Sequence, residues 1–164
     1  MTASHLAALS ELVAAEQWKD ATAITRGALL DTKFDKQCVE ELDAMWSSSS
    51  KGRFGFSAQI RAASRPAPRA GVPEEDWSYA IHIGKTVGWH DGRFWRRWPE
   101  CGAPTLPGKV VAPEGPPEAF PRGCFPFHDS VSDASWRTEF SPRDCWGESV
   151  WTRWCDVWRA VGGL

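Results

Sequence analysis

Apolar residues recur at helical spacing along the first third of the chain. Leu6, Leu9, Leu12 and Val13 repeat every three to four positions, which predicts a helix over residues 3–16. The following segment, QWKDATAITRGALL, sets Trp18, Ala21, Thr25, Ala28 and Leu29 on one stripe. It predicts a second helix, antiparallel to the first. Asp35 is a residue type that caps helices, and beyond it Cys38, Val39, Leu42, Met45 and Trp46 share a face of a third helix. Gly52 and Gly55 then break the rhythm. The stretch RFGFSAQI, residues 53–60, sets two phenylalanines around a glycine, so aromatic surface falls in a turn. Either this turn folds into the core or it walls a cleft. Helix resumes over residues 57–64, with Ala58, Ile60 and Ala62 as short apolar contacts.

The pattern then changes several times. RPAPRAGVP reads as a loop. Pro73, followed by Glu74, Glu75 and Asp76, reads as a helix start, because proline suits the first turn and acids there complement the dipole. Trp77, Tyr79 and Ile81 are expected to pack inward. After Gly84, TVGW-HDG-RFWRRW gives two short β-branched and aromatic runs around Asp91-Gly92, the pattern of a β-hairpin. Residues 99–127 hold eight prolines and four glycines and are expected to form a long irregular loop. A last helix is expected to start at Ser141-Pro142-Arg143-Asp144, carry Trp146, Val150, Trp151, Trp154, Val157, Trp158 and Val161, and stop at Gly162. Trp151, Trp154 and Trp158 read as a face docked on the bundle; exposed, they would form a partner-binding patch. No internal repeat is present. The expectation is one mostly α domain over residues 1–164: a compact helical bundle with one small β-hairpin, a Pro/Gly-rich loop at 99–127 and a Trp-rich segment at 128–164.

Composition narrows the function classes. A chain of 164 residues folded as one unit buries roughly 70% of its unfolded surface. Its net charge of −2 and pI near 6.1 give no general attraction to nucleic acid or to anionic membranes. Thirteen of the 19 cations are Arg, so planar recognition of carboxylates or phosphates is available. Eleven tryptophans against one tyrosine favour cores, interfaces and flat ligands. No apolar run is long enough to span a bilayer, so membrane association is peripheral at most. The start, MTASHLAALSEL, reads as an amphipathic helix and not as a signal peptide, which places the chain in the cytoplasm or an organelle stroma. Five cysteines with no CxxC pair read as separated thiols, without a zinc knuckle or a disulfide framework. His90 and His128 are isolated, with nothing in the sequence that pairs them as metal ligands. Nucleophile elbow, Cys-His signature, HExxH and phosphate loop are all missing, so no catalytic residue and no protein-held metal is expected.

LDAMWSSSSKGRFGFSAQI, then Asp76-Trp77, then Val87-Gly88-Trp89 and RFWRRW, resembles the genomes-uncoupled tetrapyrrole-binding family, the porphyrin-binding regulator of magnesium chelatase. The matching positions are Met45-Trp46, Ser50, Gly52 through Gln59, and Val87-Gly88-Trp89. Upstream, Trp18-Lys19-Asp20-Ala21 with Thr25 is similar to the family's Trp-x-x-Ala-Asp-x-x-Thr, with Thr22 in place of the Asp. The likeness covers residues 6–98. The Pro-rich loop is longer than in the family, and the Trp-rich tail matches none of its pattern.

The resemblance implies a bundle shaped like a cupped hand that carries protoporphyrin IX or Mg-protoporphyrin IX and stimulates the chelatase, with no catalytic cofactor. Such a ring needs an apolar slot with cations at its mouth. Phe54, Phe56, Trp89, Phe94, Trp95 and Trp98 are the candidate walls, and Arg93, Arg96, Arg97, Lys109 and Arg122 are the candidate partners of the propionates. Gln59 is expected to satisfy buried backbone and not to touch the ligand. The partners implied are the tetrapyrrole and a chelatase subunit or a signalling protein. The alternative is a ligand-free protein-interaction module on the same scaffold.

Overall fold

The computed structural model describes residues 3–31, 35–70, 72–90, 116–126 and 147–162. Six α-helices lie among them: α1 (Ala3–Ala14), α2 (Trp18–Asp31), α3 (Lys36–Ser49), α4 (Phe56–Ala63), α5 (Pro73–Val87) and α6 (Gly147–Gly162). A short 3-10 turn spans Pro117–Ala119. The described residues are mostly helical, as the periodicity predicts. Asp35 caps α3, its carboxylate accepting the Gln37 N–H at 3.0 Å. Cys38, Val39, Leu42 and Trp46 form the buried stripe of that helix. Pro73 opens α5 with Glu74, Glu75 and Asp76 in its first turn. The start expected for α6 lies outside the described residues.

Helix α1 packs on α2 and α3, and α4 packs on α5. Helix α6 comes from the far end of the chain but lies against α3, α4 and α5. It buries Trp154, Cys155, Val157 and Trp158. Each such large apolar side chain contributes roughly 1.5–3 kcal/mol on burial. The tryptophans of α6 whose burial is described are therefore core, not an exposed patch; Trp151 has no described side chain.

Two expectations change. Thr86 and Val87 are not the first strand of a hairpin; they are the last turn of α5, which Gly88 closes with its N–H on Gly84 O. Local β preference loses here to packing, because Tyr79, Ala80, Ile83 and Val87 form one continuous buried helical stripe. The second expected strand, residues 93–98, lies outside the described residues. On α5, Trp77 and Ile81 are only half-buried; the neighbouring stripe takes the core. The end of the Pro-rich stretch is irregular, as expected, and partly buried: residues 116–126 carry Phe120, Cys124 and Phe125 into the core, while Pro116, Glu118, Ala119 and Arg122 stay exposed.

The core is built from interlocking rings. Phe125 stacks on Trp18 and Trp46 at centroid distances of 5.8 and 6.2 Å and meets Phe54 edge-on at 5.0 Å. Trp154 sits between Phe56 at 5.6 Å and Trp89 at 6.2 Å, edge-on to both. Trp158 continues this second group to Tyr79. These tilted and edge-on geometries are the ones favoured by the charge distribution of aromatic rings.

Candidate functional site

The turn between α3 and α4 is organised by short polar side chains. The Ser50 hydroxyl donates to Trp46 O at 2.7 Å and accepts the Phe54 N–H at 2.8 Å. Asp43 reaches across from α3, and its carboxylate accepts the Ser57 N–H at 2.9 Å, capping α4. Gly55 lies between these contacts at φ +106°, and a Cβ there would stand 2.6 Å from Asp43 Oδ1. Only glycine fits. Both phenylalanines are thereby turned inward, each with 0% exposure.

The same turn holds residues 116–126. Arg53 donates through Nε to Pro117 O at 3.0 Å and through a terminal nitrogen to Phe120 O at 2.8 Å. The Arg53 carbonyl accepts the Gly123 N–H at 2.7 Å, and the Gly55 N–H donates to Phe125 O at 2.8 Å. Gln59 donates to Pro126 O at 3.0 Å, and the Trp89 indole N–H donates to Cys124 O at 2.7 Å. A segment with little regular structure would otherwise bury orphaned carbonyls, at about 1–3 kcal/mol each. The glycine–aromatic turn and the Trp89 indole thus form a cradle for it. Gly123 is itself pressed close: a Cβ would lie 2.9 Å from Val87 Cγ1 and 3.0 Å from Gln59 Cα.

Helix α6 is locked to the same framework. The Trp158 indole N–H donates to Gln59 Oε1 at 2.8 Å. Arg159, nearly buried, donates to Pro68 O at 2.8 Å, Arg69 O at 3.2 Å, the Asp156 carboxylate at 3.0 Å and the buried carboxylate of Asp76. Burial pushes the Asp76 carboxyl up, and the Arg159 guanidinium pulls it part of the way back. The Cys155 thiol, donating to Asp76 O at 3.5 Å, is also pushed up by burial, which leaves it a neutral packing group. Burial raises Tyr79 to about 12, and its hydroxyl donates to Arg65 O.

Of the residues expected to grip a ligand, Phe54, Phe56 and Trp89 are each at 0% exposure, their faces covered by Trp18, Phe125 and Trp154. Contact between them and a bound ring would require those neighbours to move. Arg122 is exposed, on the turn that precedes Gly123. Phe94, Trp95, Arg96, Arg97 and Trp98 lie outside the described residues, as do Arg93, Lys109 and His128. Gln59 has the structural duty expected of it. Arg53 was not anticipated; a partly buried arginine whose partners lie more than sixty positions away leaves no local pattern. The same holds for Asp76 and Arg159. Among the described residues, no cluster of His, Cys, Asp and Glu could hold a metal ion, and no helix is long and apolar enough to cross a membrane.

Comparison with family models matches residues 32–115 to the family described as GUN4-like, just over half of the chain. The match begins after α2, takes in the cradle turn and α5, and stops immediately before the cradled segment. Neither the curated proteins nor the solved structures gave a match. The family is a regulatory, tetrapyrrole-binding family without catalytic activity, and it is the genomes-uncoupled family that the residues around RFGFSAQI resemble. On the strength of that match and of its helical fold, this chain belongs to the GUN4-like family.

Proposed function

We propose that the chain binds protoporphyrin IX or a metalloporphyrin such as Mg-protoporphyrin IX and delivers it to, or reports it to, a protein partner, in the manner of a magnesium chelatase regulator. The ring lies against the aromatic and basic run Phe94, Trp95, Arg96, Arg97 and Trp98. Arg122 meets its carboxylate edge.

The observation that carries the reading is the cradle. The Trp89 indole holds Cys124 O, and Gly123 packs on Val87, so the exposed Arg122 turn is fixed beside the end of α5. In sequence, RFWRRW starts three residues after His90. The reading joins the flat aromatic and basic run that follows in sequence to this exposed guanidinium. A tetrapyrrole presents the matching chemistry, a planar apolar face with carboxylates along one rim, and arginine pairs with carboxylates in a bidentate fork. The residues fit the ligand class.

Tryptophan fluorescence during a protoporphyrin IX titration tests this. Saturable quenching in the micromolar range, weakened by Trp95→Ala and by Arg97→Ala with unchanged melting, supports the assignment. Quenching of equal strength in both variants removes the run from the site. The full burial of Phe54, Phe56 and Trp89 favours a second reading, a ligand-free interaction module. That reading requires the wild type to leave the porphyrin spectrum unchanged while retaining a protein partner.

A further inference from the structure

We propose that Arg53 is a positioning residue for the tetrapyrrole: it fixes the turn that carries Arg122, and so sets where that guanidinium meets the carboxylate edge of the ring. The proposal rests on the tetrapyrrole reading above.

Three hydrogen bonds from one residue bracket the turn. Ahead of it, the Arg53 guanidinium takes Pro117 O and Phe120 O. Behind it, the Arg53 carbonyl takes the Gly123 N–H at 2.7 Å. Between those anchors lie Pro121 and Arg122, and the turn closes on itself through the Cys124 N–H to Pro121 O at 3.2 Å. Each flank is immobilised by packing. Phe120, Cys124 and Phe125 are buried, and Gly123 has its backbone pressed on Val87 and Gln59. The Arg122 side chain remains exposed at the crest. A cation on a backbone that is already fixed gives up less freedom when it grips an anion, so affinity gained there depends on the anchor as much as on the cation. Lysine replaces Arg53 only in part, because only the planar fork reaches two carbonyls in fixed directions.

Two measurements test this. The first needs no ligand: trypsin cleaves after Arg122 only when the turn opens. We expect slow cleavage of the Arg122–Gly123 bond in the wild type and faster cleavage in Arg53→Ala. Equal rates would overturn the proposal. The second compares protoporphyrin IX with its dimethyl ester, which keeps the flat face and masks the carboxylates. The wild type should prefer the free acid roughly tenfold, the worth of one charge-assisted hydrogen bond. Arg122→Ala should bring that ratio near one. Arg53→Ala should do the same although Arg122 is present, and the double variant should lose no further discrimination. Arg53→Lys should fall between and carries the test if Arg53→Ala does not fold. If Arg53→Ala weakens both ligands equally, its role is only structural and the proposal fails. A wild type that binds both ligands equally overturns this assignment and leaves tetrapyrrole binding standing. A wild type that binds neither overturns both.

Discussion

Single polar atoms decide how the aromatic core closes. Thr25 Oγ1 accepts the Trp46 indole N–H and donates to Ala21 O, both at 2.9 Å. Thr25→Val should therefore cost about 1–3 kcal/mol in chemical denaturation, since it strands a buried donor; an unchanged midpoint would show that the indole finds another acceptor. Gly55→Ala adds strain at φ +106° and a clash with Asp43, and should cost about 1–3 kcal/mol. Combining it with Asp43→Ala should cost less than the sum of the two, because the clash is shared.

The Asp76–Arg159 pair makes a pH-dependent case. Arg159→Met leaves a buried carboxylate without its cation and should cost about 3–5 kcal/mol at neutral pH. Burial already lifts the Asp76 carboxyl above its unfolded value, Asp156 and Glu75 push the same way, and only Arg159 opposes them. In the variant the folded-state pKa rises further. A raised folded pKa stabilises below the unfolded value and loses that contribution as pH climbs through the folded one. The deficit should be smallest below about pH 4 and widen as pH rises through and above the carboxylate range. A deficit independent of pH from acid to neutral would contradict the buried-pair account. At this scale the sequence was legible where duty follows residue type, as with Asp35 and Gln59. It was silent on Arg53 and Arg159, whose partners are set by the fold.

At the level of elements, periodicity located the first five helices because their buried stripes repeat within the window that a sequence pattern can report. It failed at the end of α5, where the pattern reads as a strand. Thr86-Val87-Gly88-Trp89 has β-forming composition, yet Val87 sits one turn after Ile83 on a buried face, so the helix continues and Trp89 follows the cap. Residues 116–126 carry the local marks of a loop. Their place in the core comes from hydrogen bonds to Arg53, Gly55, Gln59 and Trp89. Gln59→Leu removes the partners of both Pro126 O and the Trp158 indole, and should cost more than the loss of a single bond, roughly 2 kcal/mol or above. Hydrogen exchange should quicken at residues 120–126 and along α6 together. Exchange that quickens in only one would show that Gln59 does not couple them.

For the molecule as a whole, the bundle uses its motif residues twice. The glycine–aromatic turn fills the core, and the same turn anchors the segment that displays Arg122. The family likeness was visible in the sequence because the turn needs Ser50, Gly55 and Gln59 at fixed spacing. How a site would face a ligand was not visible, because Phe54, Phe56 and Trp89, three of the rings expected as walls, are rings that the fold buries. The most direct test is a titration of protoporphyrin IX with the wild-type chain, followed at the Soret band. Tetrapyrrole binding predicts a shifted band that saturates at one ring per chain. A band unchanged by excess protein would contradict it.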